Sequence, residues 1–290
     1  MFLLTQFIGL FVISSHVVPN YLDAQVSDQE QLSYGYYFFN IIVSLAMAVL
    51  IFVLITKYKL VAFMRIWFLV VLTIALSISL SAIIKLFGLN SYWIALIIAI
   101  PLGILKLVRP SIIIHNGTEL LIYPGLAAVF AQILSPLYAI LFLLLISIYD
   151  FWAVWHSGLM QRMAKFQMNE MKVFGGFYIP YLTKELREKI QKMKIKFRGK
   201  KINKKIGIKV PIAILGGGDI VFPIITAGVF MNAFNSIAPA IAIILGAFAG
   251  LTYLLMVSHK KKFYPAMVYI TPGILIGLAI WFLLRYFSLA

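Results

Sequence analysis

Long apolar runs separated by short polar segments divide this chain from end to end. A helix that crosses a bilayer needs about 20 mostly apolar residues. The runs lack the alternation of apolar and polar positions that indicates membrane barrel strands. The pattern therefore predicts an all-α membrane protein with nine transmembrane helices. Their predicted bounds are 2–18, 36–55, 66–84, 93–108, 119–134, 136–156, 210–233, 237–257 and 264–287.

The polar segments between the runs suggest how the chain is organised. The sequence RPSIIIHNGTELL separates the fourth and fifth runs, and Asn116-Gly117 within it predicts a turn. We interpret residues 1–290 as a single transmembrane domain. Residues 1–156 hold the first six spans, 157–209 form a basic loop, and 210–290 hold the last three spans.

Composition excludes several kinds of site. Hydrophobic residues make up 63% of the chain and charged residues 12%, whereas soluble domains have about a quarter of their residues charged. The absence of cysteine excludes disulfides, thiolate metal sites and a cysteine nucleophile. The four histidines are scattered near predicted span ends, and no His-Glu-x-x-His motif is present. We therefore expect neither a metal nor a cofactor.

Charge predicts the orientation in the membrane. Most of the 25 Lys and Arg residues lie in the predicted 157–209 loop, and the others, apart from Lys85 and Arg285, fall in loops of the same parity. Positive loops remain in the cytoplasm, so we predict a multi-pass cell-membrane protein with its N-terminus inside and its C-terminus outside. The first 18 residues lack the basic start of a secretory signal and are expected to be a retained span. In the most basic part of this loop, TKELREKIQKMKIKFRGKKINKKIGIKV, Phe197 is the one aromatic residue, which favours lipid headgroups over nucleic acid as its partner.

Glu119 lies at the edge of a predicted apolar run, and two other acidic residues fall well inside one. Asp150 lies in LLLISIYDFWAVW and Asp219 in PIAILGGGDIVFPIITAG. An aspartate at the centre of a membrane helix costs about 2.5–3.5 kcal/mol, so such a residue usually has a function. The predicted helix ends put the two at depths of roughly 9 and 14 Å from the cytoplasmic side. The pair could therefore face each other at one level.

Two neighbouring carboxyl groups share one proton, because both cannot ionise easily. One carboxylate can then activate a water while the protonated one donates to a scissile carbonyl, which is the chemistry of aspartic proteases. The same pair could relay protons or cations in a transporter, or anchor the bundle structurally. Three glycines before Asp219 allow a backbone to approach closely. The residues alone leave these alternatives open.

Three motifs resemble those of the presenilin and signal peptide peptidase family of intramembrane aspartyl proteases. They are Gly216-Gly217-Gly218-Asp219 for Gly-x-Gly-Asp, Tyr149-Asp150 for Tyr-Asp, and Pro265-Ala266-Met267 for Pro-Ala-Leu. Their order and their predicted spans agree with the family, so the resemblance covers essentially the whole chain. The chain is most similar to archaeal presenilin homologues. Met267 departs from the family's leucine, but it is an apolar residue of similar volume.

The resemblance implies a presenilin-like bundle that hydrolyses peptide bonds within transmembrane segments. Asp150 and Asp219 would be catalytic, and the remaining motif residues would bind substrate: Tyr149, Gly216, Gly217, Gly218, Pro265, Ala266 and Met267. The substrate would be a transmembrane helix of another protein, unwound and added as a strand to residues 206–210. The alternatives are a proton- or cation-conducting transporter and a chaperone that binds helices without cutting them. Small residues in Gly246–Gly250 could pack within the chain or between copies, so a homo-oligomer is possible.

Overall fold

A computed structural model gives the fold. It describes residues 1–15, 30–58, 61–89, 92–108, 111–156, 158, 162, 175–180, 212–258 and 264–289. The helices are α1 (Phe2–Ser14), α2 (Glu30–Tyr58), α3 (Val61–Lys85), α4 (Tyr92–Val108), α5 (Ile112–Ile133), α6 (Pro136–Trp155), α7 (Gly218–Phe234), α8 (Ile237–Val257) and α9 (Met267–Leu289). Two short strands, β1 (Gly176–Pro180) and β2 (Ile212–Gly216), complete the described elements.

The described part of the chain is thus nearly all helical, as its apolar runs predict. Five helices are long and apolar enough to cross a membrane: α3, α5, α6, α8 and α9. The apolar parts of α1, α2, α4 and α7 are shorter. Length and composition therefore support a multi-pass membrane protein.

Two predicted helix boundaries are wrong. Asn116-Gly117 does not form a turn, because both residues lie inside α5, which begins at Ile112. The seventh helix begins at Gly218 instead of residue 210, and Ile212–Gly216 form β2. An apolar run of this length is compatible with a strand or a helix, and the glycines after it end the strand.

The core lies where α1, α5 and α7 pack together, with α3 against the far side of α5. Gly125 of α5 lies so close to the backbone of Ala75 in α3 that a larger residue would not fit. Gly246 and Gly250 of α8 pack in the same way against the backbone of α9. The Gly246–Gly250 stretch therefore packs within the chain.

The two strands form an antiparallel ribbon whose register pairs Gly176 with Gly216 and Pro180 with Ile212. β1 also packs against α5, and β2 leads directly into α7. The ribbon therefore connects the first turn of α7 to the body of the bundle through α5. Most of the predicted 157–209 loop, including the 206–210 strand, lies outside the described residues.

Candidate active site

Asp219 lies at the N-terminus of a helix instead of inside one. Gly216 ends β2, Gly217 is the N-cap of α7, and Asp219 is in the first turn. The backbone amide of Gly216 interacts with the Asp219 carboxylate. The partial positive charge at a helix N-terminus stabilises a carboxylate there. The predicted glycine-lined helical turn before Asp219 is therefore a strand end followed by a helix start.

Asp150 also meets a helix N-terminus, that of α9. It lies in the second-last turn of α6, and only 7% of it is exposed. Its Oδ2 accepts a hydrogen bond of 3.0 Å from the backbone amide of Met267, the first residue of α9. Four amides at a helix start have no partner within the helix, and Asp150 satisfies one of them.

The two carboxylates lie on either side of the contact between α6 and α7, close enough to interact electrostatically. The helices pack together, and α9 packs against both. Phe142 and Phe222 fix this contact with an edge-to-face pair whose centroids are 5.5 Å apart. Among the described residues neither aspartate forms a salt bridge. Asp150 is buried and Asp219 is half-buried.

The other predicted site residues lie around this pair. Tyr149 is half-buried and interacts electrostatically with Asp150. Pro265 and Ala266 are buried immediately before α9, and the side chain of Met267 is 2% exposed. The predicted proximity of the Pro-Ala-Met segment to the aspartates is therefore observed at Met267, through its amide.

Gly216 lies close to Asp219, and Gly217 lies close to Tyr123. A Cβ at Gly216 would lie 3.0 Å from Asp219 Oδ2, and one at Gly217 would lie 2.8 Å from the ring of Tyr123. Tyr123 is buried, packs edge-to-face on Phe177 of β1, and interacts electrostatically with both Glu119 and Asp219. A side chain larger than hydrogen would press on the Asp219 carboxylate at Gly216 and would displace the Tyr123 ring at Gly217.

A buried polar cluster next to Tyr123 could not be recognised in the predicted spans. Lys106 Nζ donates to Glu119 Oε1 at 2.5 Å, and both side chains are 1% exposed. His115 Nε2 lies 3.6 Å from the same Glu119 oxygen. Glu119, which is expected at the edge of the fifth span, therefore lies inside α5 and is buried. His115, which the sequence places near a predicted span end, is buried as well.

One signal in the sequence could have revealed this cluster. Without the assumed turn at Asn116-Gly117, residues 112–133 form one helix that carries both His115 and Glu119. They are then one turn apart on the same face, four residues from each other. An acid and a base on adjacent predicted spans would have suggested an ion pair.

Comparison with known proteins gives the family. Residues 1–286 match the family model described as signal-peptide peptidase, presenilin aspartyl protease. Among curated proteins no sequence matches the chain.

Two solved structures have a similar fold. Both are described as a presenilin family intramembrane aspartate protease, in the C222 and P2 space groups. The first has a TM-score of 0.60 and 18% identity, and the match covers 97% of this chain and 98% of that one. The second has a TM-score of 0.56 and 19% identity, with coverage of 97% and 96%. The resemblance read from three short motifs is thus confirmed over almost the whole chain, and the protein belongs to the signal-peptide peptidase and presenilin family of intramembrane aspartyl proteases.

Proposed function

We propose that Asp150 and Asp219 are the catalytic residues of this intramembrane aspartyl protease. The single observation that carries the proposal is their arrangement. Two carboxylates from adjacent helices interact, each meets a backbone amide, and neither has a basic partner among the described residues. The pair holds one proton: the ionised member takes a proton from water, and the protonated member donates to the substrate carbonyl.

The attacking water adds to the carbonyl carbon and gives a tetrahedral diol. Its collapse breaks the C–N bond as one aspartic acid gives its proton to the leaving nitrogen and the other aspartate takes a proton from a diol hydroxyl, so the pair again holds one proton. No covalent intermediate with the protein forms.

The substrate is a transmembrane segment of another membrane protein, bound in extended form. Helical hydrogen bonds shield a peptide bond, so the segment must unwind before cleavage. The outer edge of β2 supports this mode of binding, because β2 runs directly into the Gly216–Asp219 turn. An extended peptide added there would run alongside the catalytic acid. Gly216, Gly217 and Gly218 line its path, the backbone of Pro265–Met267 borders it, and Tyr149 contacts it near Asp150.

Purified protein in liposomes with a single-span substrate tests the assignment. Asp150→Ala and Asp219→Ala should each abolish cleavage, and a transition-state analogue should inhibit the wild type. Asp28→Ala, which removes a carboxylate from the segment between α1 and α2, is the matched control and should cleave normally. Cleavage that persists in both active-site variants would refute the catalytic pair.

We further propose nine membrane crossings, with the N-terminus and the 157–209 segment in the cytoplasm and the C-terminus outside. The uneven distribution of Lys and Arg supports this orientation. The chain has no cysteine, so single introduced cysteines can be labelled without background. Lys261→Cys should react only from the cytoplasmic side and Ser236→Cys only from the outside. The opposite labelling would refute the orientation.

A further inference from the structure

One edge of the β1–β2 ribbon is covered by side chains from α5. Asn116 Nδ2 donates to the carbonyl of Tyr178 at 2.8 Å, and the Tyr178 amide donates to Asn116 Oδ1 at 3.0 Å. A single side chain thus makes both hydrogen bonds that a neighbouring strand would make to Tyr178. Asn116 therefore occupies the hydrogen-bonding positions that a third strand would use at Tyr178.

His115 adds a second attachment one residue earlier on the helix. Its Nε2 lies 2.7 Å from the carbonyl oxygen of Gly176. A carbonyl oxygen can only accept, so Nε2 carries a proton and donates. The imidazole also stacks on the ring of Tyr178, with centroids 4.2 Å apart. Gly176 and Tyr178 are therefore both fastened to α5.

The hydrogen-bond pattern of the ribbon shows which edge remains open. The amide of Gly217 donates to Gly175, so alternate pairs in this register, Phe177 with Leu215 among them, are hydrogen-bonded. The polar groups of Gly176 and Tyr178 consequently point away from β2, toward α5. By the same alternation, those of Ile214 point away from β1, and no further described strand pairs with β2.

We propose that His115 and Asn116 are positioning residues that fix the ribbon beside Asp219 and leave β2 as the edge for substrate. The inference rests on the proposed function, in which a substrate strand adds to β2. A two-stranded ribbon is only marginally stable alone and exposes two edges. Attachment to α5 occupies the edge of β1. It also fixes the position of β2 along the strand direction relative to the Asp219 carboxylate. The side chains act through the ribbon and do not touch the reacting atoms.

We call His115 and Asn116, with their hydrogen bonds to β1, the clamp. The buried Lys106–Glu119 pair next to it explains why α5 can hold the strand firmly. Glu119 lies one helical turn after His115, within 3.6 Å of its Nε2, and is itself held by Lys106 of α4. The imidazole is thus bounded by a carboxylate on one side and by the Tyr178 ring on the other. With this support, the donor nitrogen stays directed at Gly176.

Substitutions that remove the clamp should impair substrate binding more than the chemical step. Asn116→Leu keeps side-chain volume but removes both hydrogen bonds, and His115→Phe keeps the stacked ring but removes the donor. We expect KM for a single-span substrate to rise by about tenfold in each, with a much smaller change in kcat. Cleavage should also spread to neighbouring peptide bonds, because the position of β2 along the strand direction is no longer fixed. His115→Gln restores an N–H donor and should recover part of the loss.

The matched control is Thr118→Val on the same helix. Thr118 is equally buried, but its hydroxyl bonds only to carbonyls of its own helix. It should keep the wild-type KM and cleavage position. If the folded clamp variants have wild-type KM and products, or if Thr118→Val is impaired equally, the proposal is overturned.

Amide hydrogen exchange gives a readout that does not require activity. In Asn116→Leu the Tyr178 amide should exchange at least about tenfold faster, while the Phe177 amide, bonded across the ribbon, stays protected. Unchanged exchange at Tyr178 would overturn the clamp itself. If Tyr178 exchange rises in Asn116→Leu as expected but the wild-type protein cuts no substrate, the catalytic proposal is refuted instead. The two failures are therefore distinguishable.

Discussion

This protein has buried carboxyl groups in two neighbouring places, and their partners differ in kind. Glu119 is paired at 2.5 Å with Lys106, and its side chain is 1% exposed. Asp150 and Asp219 interact with each other, and among the described residues their attachments are the amides of Met267 and Gly216. The first site pairs its carboxylate with a cation, whereas the second brings two carboxyl groups together.

The difference shows what a buried acid is suited to do. A carboxylate held by an ammonium group in a dry environment stays ionised and cannot exchange protons freely, so it stabilises structure. Two carboxylates without a cation must share a proton, and the shared proton can be passed to a substrate. Burial in an apolar run therefore indicates importance, but the partner decides between structure and chemistry.

Removing a charge from the catalytic site should have the largest effect on activity. Asp219→Asn keeps the side-chain size but removes the group that exchanges the proton. We expect cleavage to fall by more than about 1,000-fold, as for other groups that act as a unit in catalysis. Stability should be equal or higher, because Asp150 no longer lies beside a second ionisable carboxyl group. Rates in liposomes and the thermal midpoint measured together check both parts, and a destabilised but active variant would contradict them.

Removing the charge of Glu119 should have the opposite outcome. Glu119→Gln leaves Lys106 as an unpaired buried cation, and breaking such a pair costs about 3–5 kcal/mol. We expect a large loss of folded protein, while molecules that remain folded still cleave. Denaturant titration gives the stability, and cleavage is normalised to the folded fraction.

The double variant sharpens this test. Lys106→Met with Glu119→Leu removes both charges together, so no buried ion remains without a partner. Such replacements are often neutral or stabilising. The double variant should therefore regain most of the stability that Glu119→Gln loses. If it were as unstable as the single variant, the charge pair would not be the cause.

The sequence could reveal one of these two sites but not the other. Asp150 and Asp219 stand out because no basic residue lies near them in apolar runs. Glu119 was hidden by Asn116-Gly117, which has the local pattern of a turn but is helical here. The side chain of Asn116 bonds to a strand 62 residues away, and no local pattern contains that information. β2 was missed for a similar reason, since its pairing with β1 is not local either.

The pH dependence of cleavage should distinguish a shared proton from a fixed charge. Cleavage should fall at low pH, where both aspartates are protonated and no base remains. It should also fall at high pH, where both are ionised and no acid remains. Initial rates between about pH 4 and pH 9 should give a bell whose limbs approach a tenfold change per unit. A profile that stays flat while the protein remains folded would argue against the shared proton.

The smallest effect is expected where a side chain and its own backbone have different roles. The Met267 amide donates to Asp150, whereas its side chain only fills buried space. Met267→Leu keeps the amide and nearly the volume, so it should cost less than about 1.5 kcal/mol and change cleavage only slightly. Met267→Ala keeps the amide but leaves a cavity, which costs about 2–5 kcal/mol. Stability should therefore separate the two variants while the cleavage rate of the folded fraction does not. A large loss of cleavage in Met267→Leu would mean that the side chain, and not only the amide, positions Asp150.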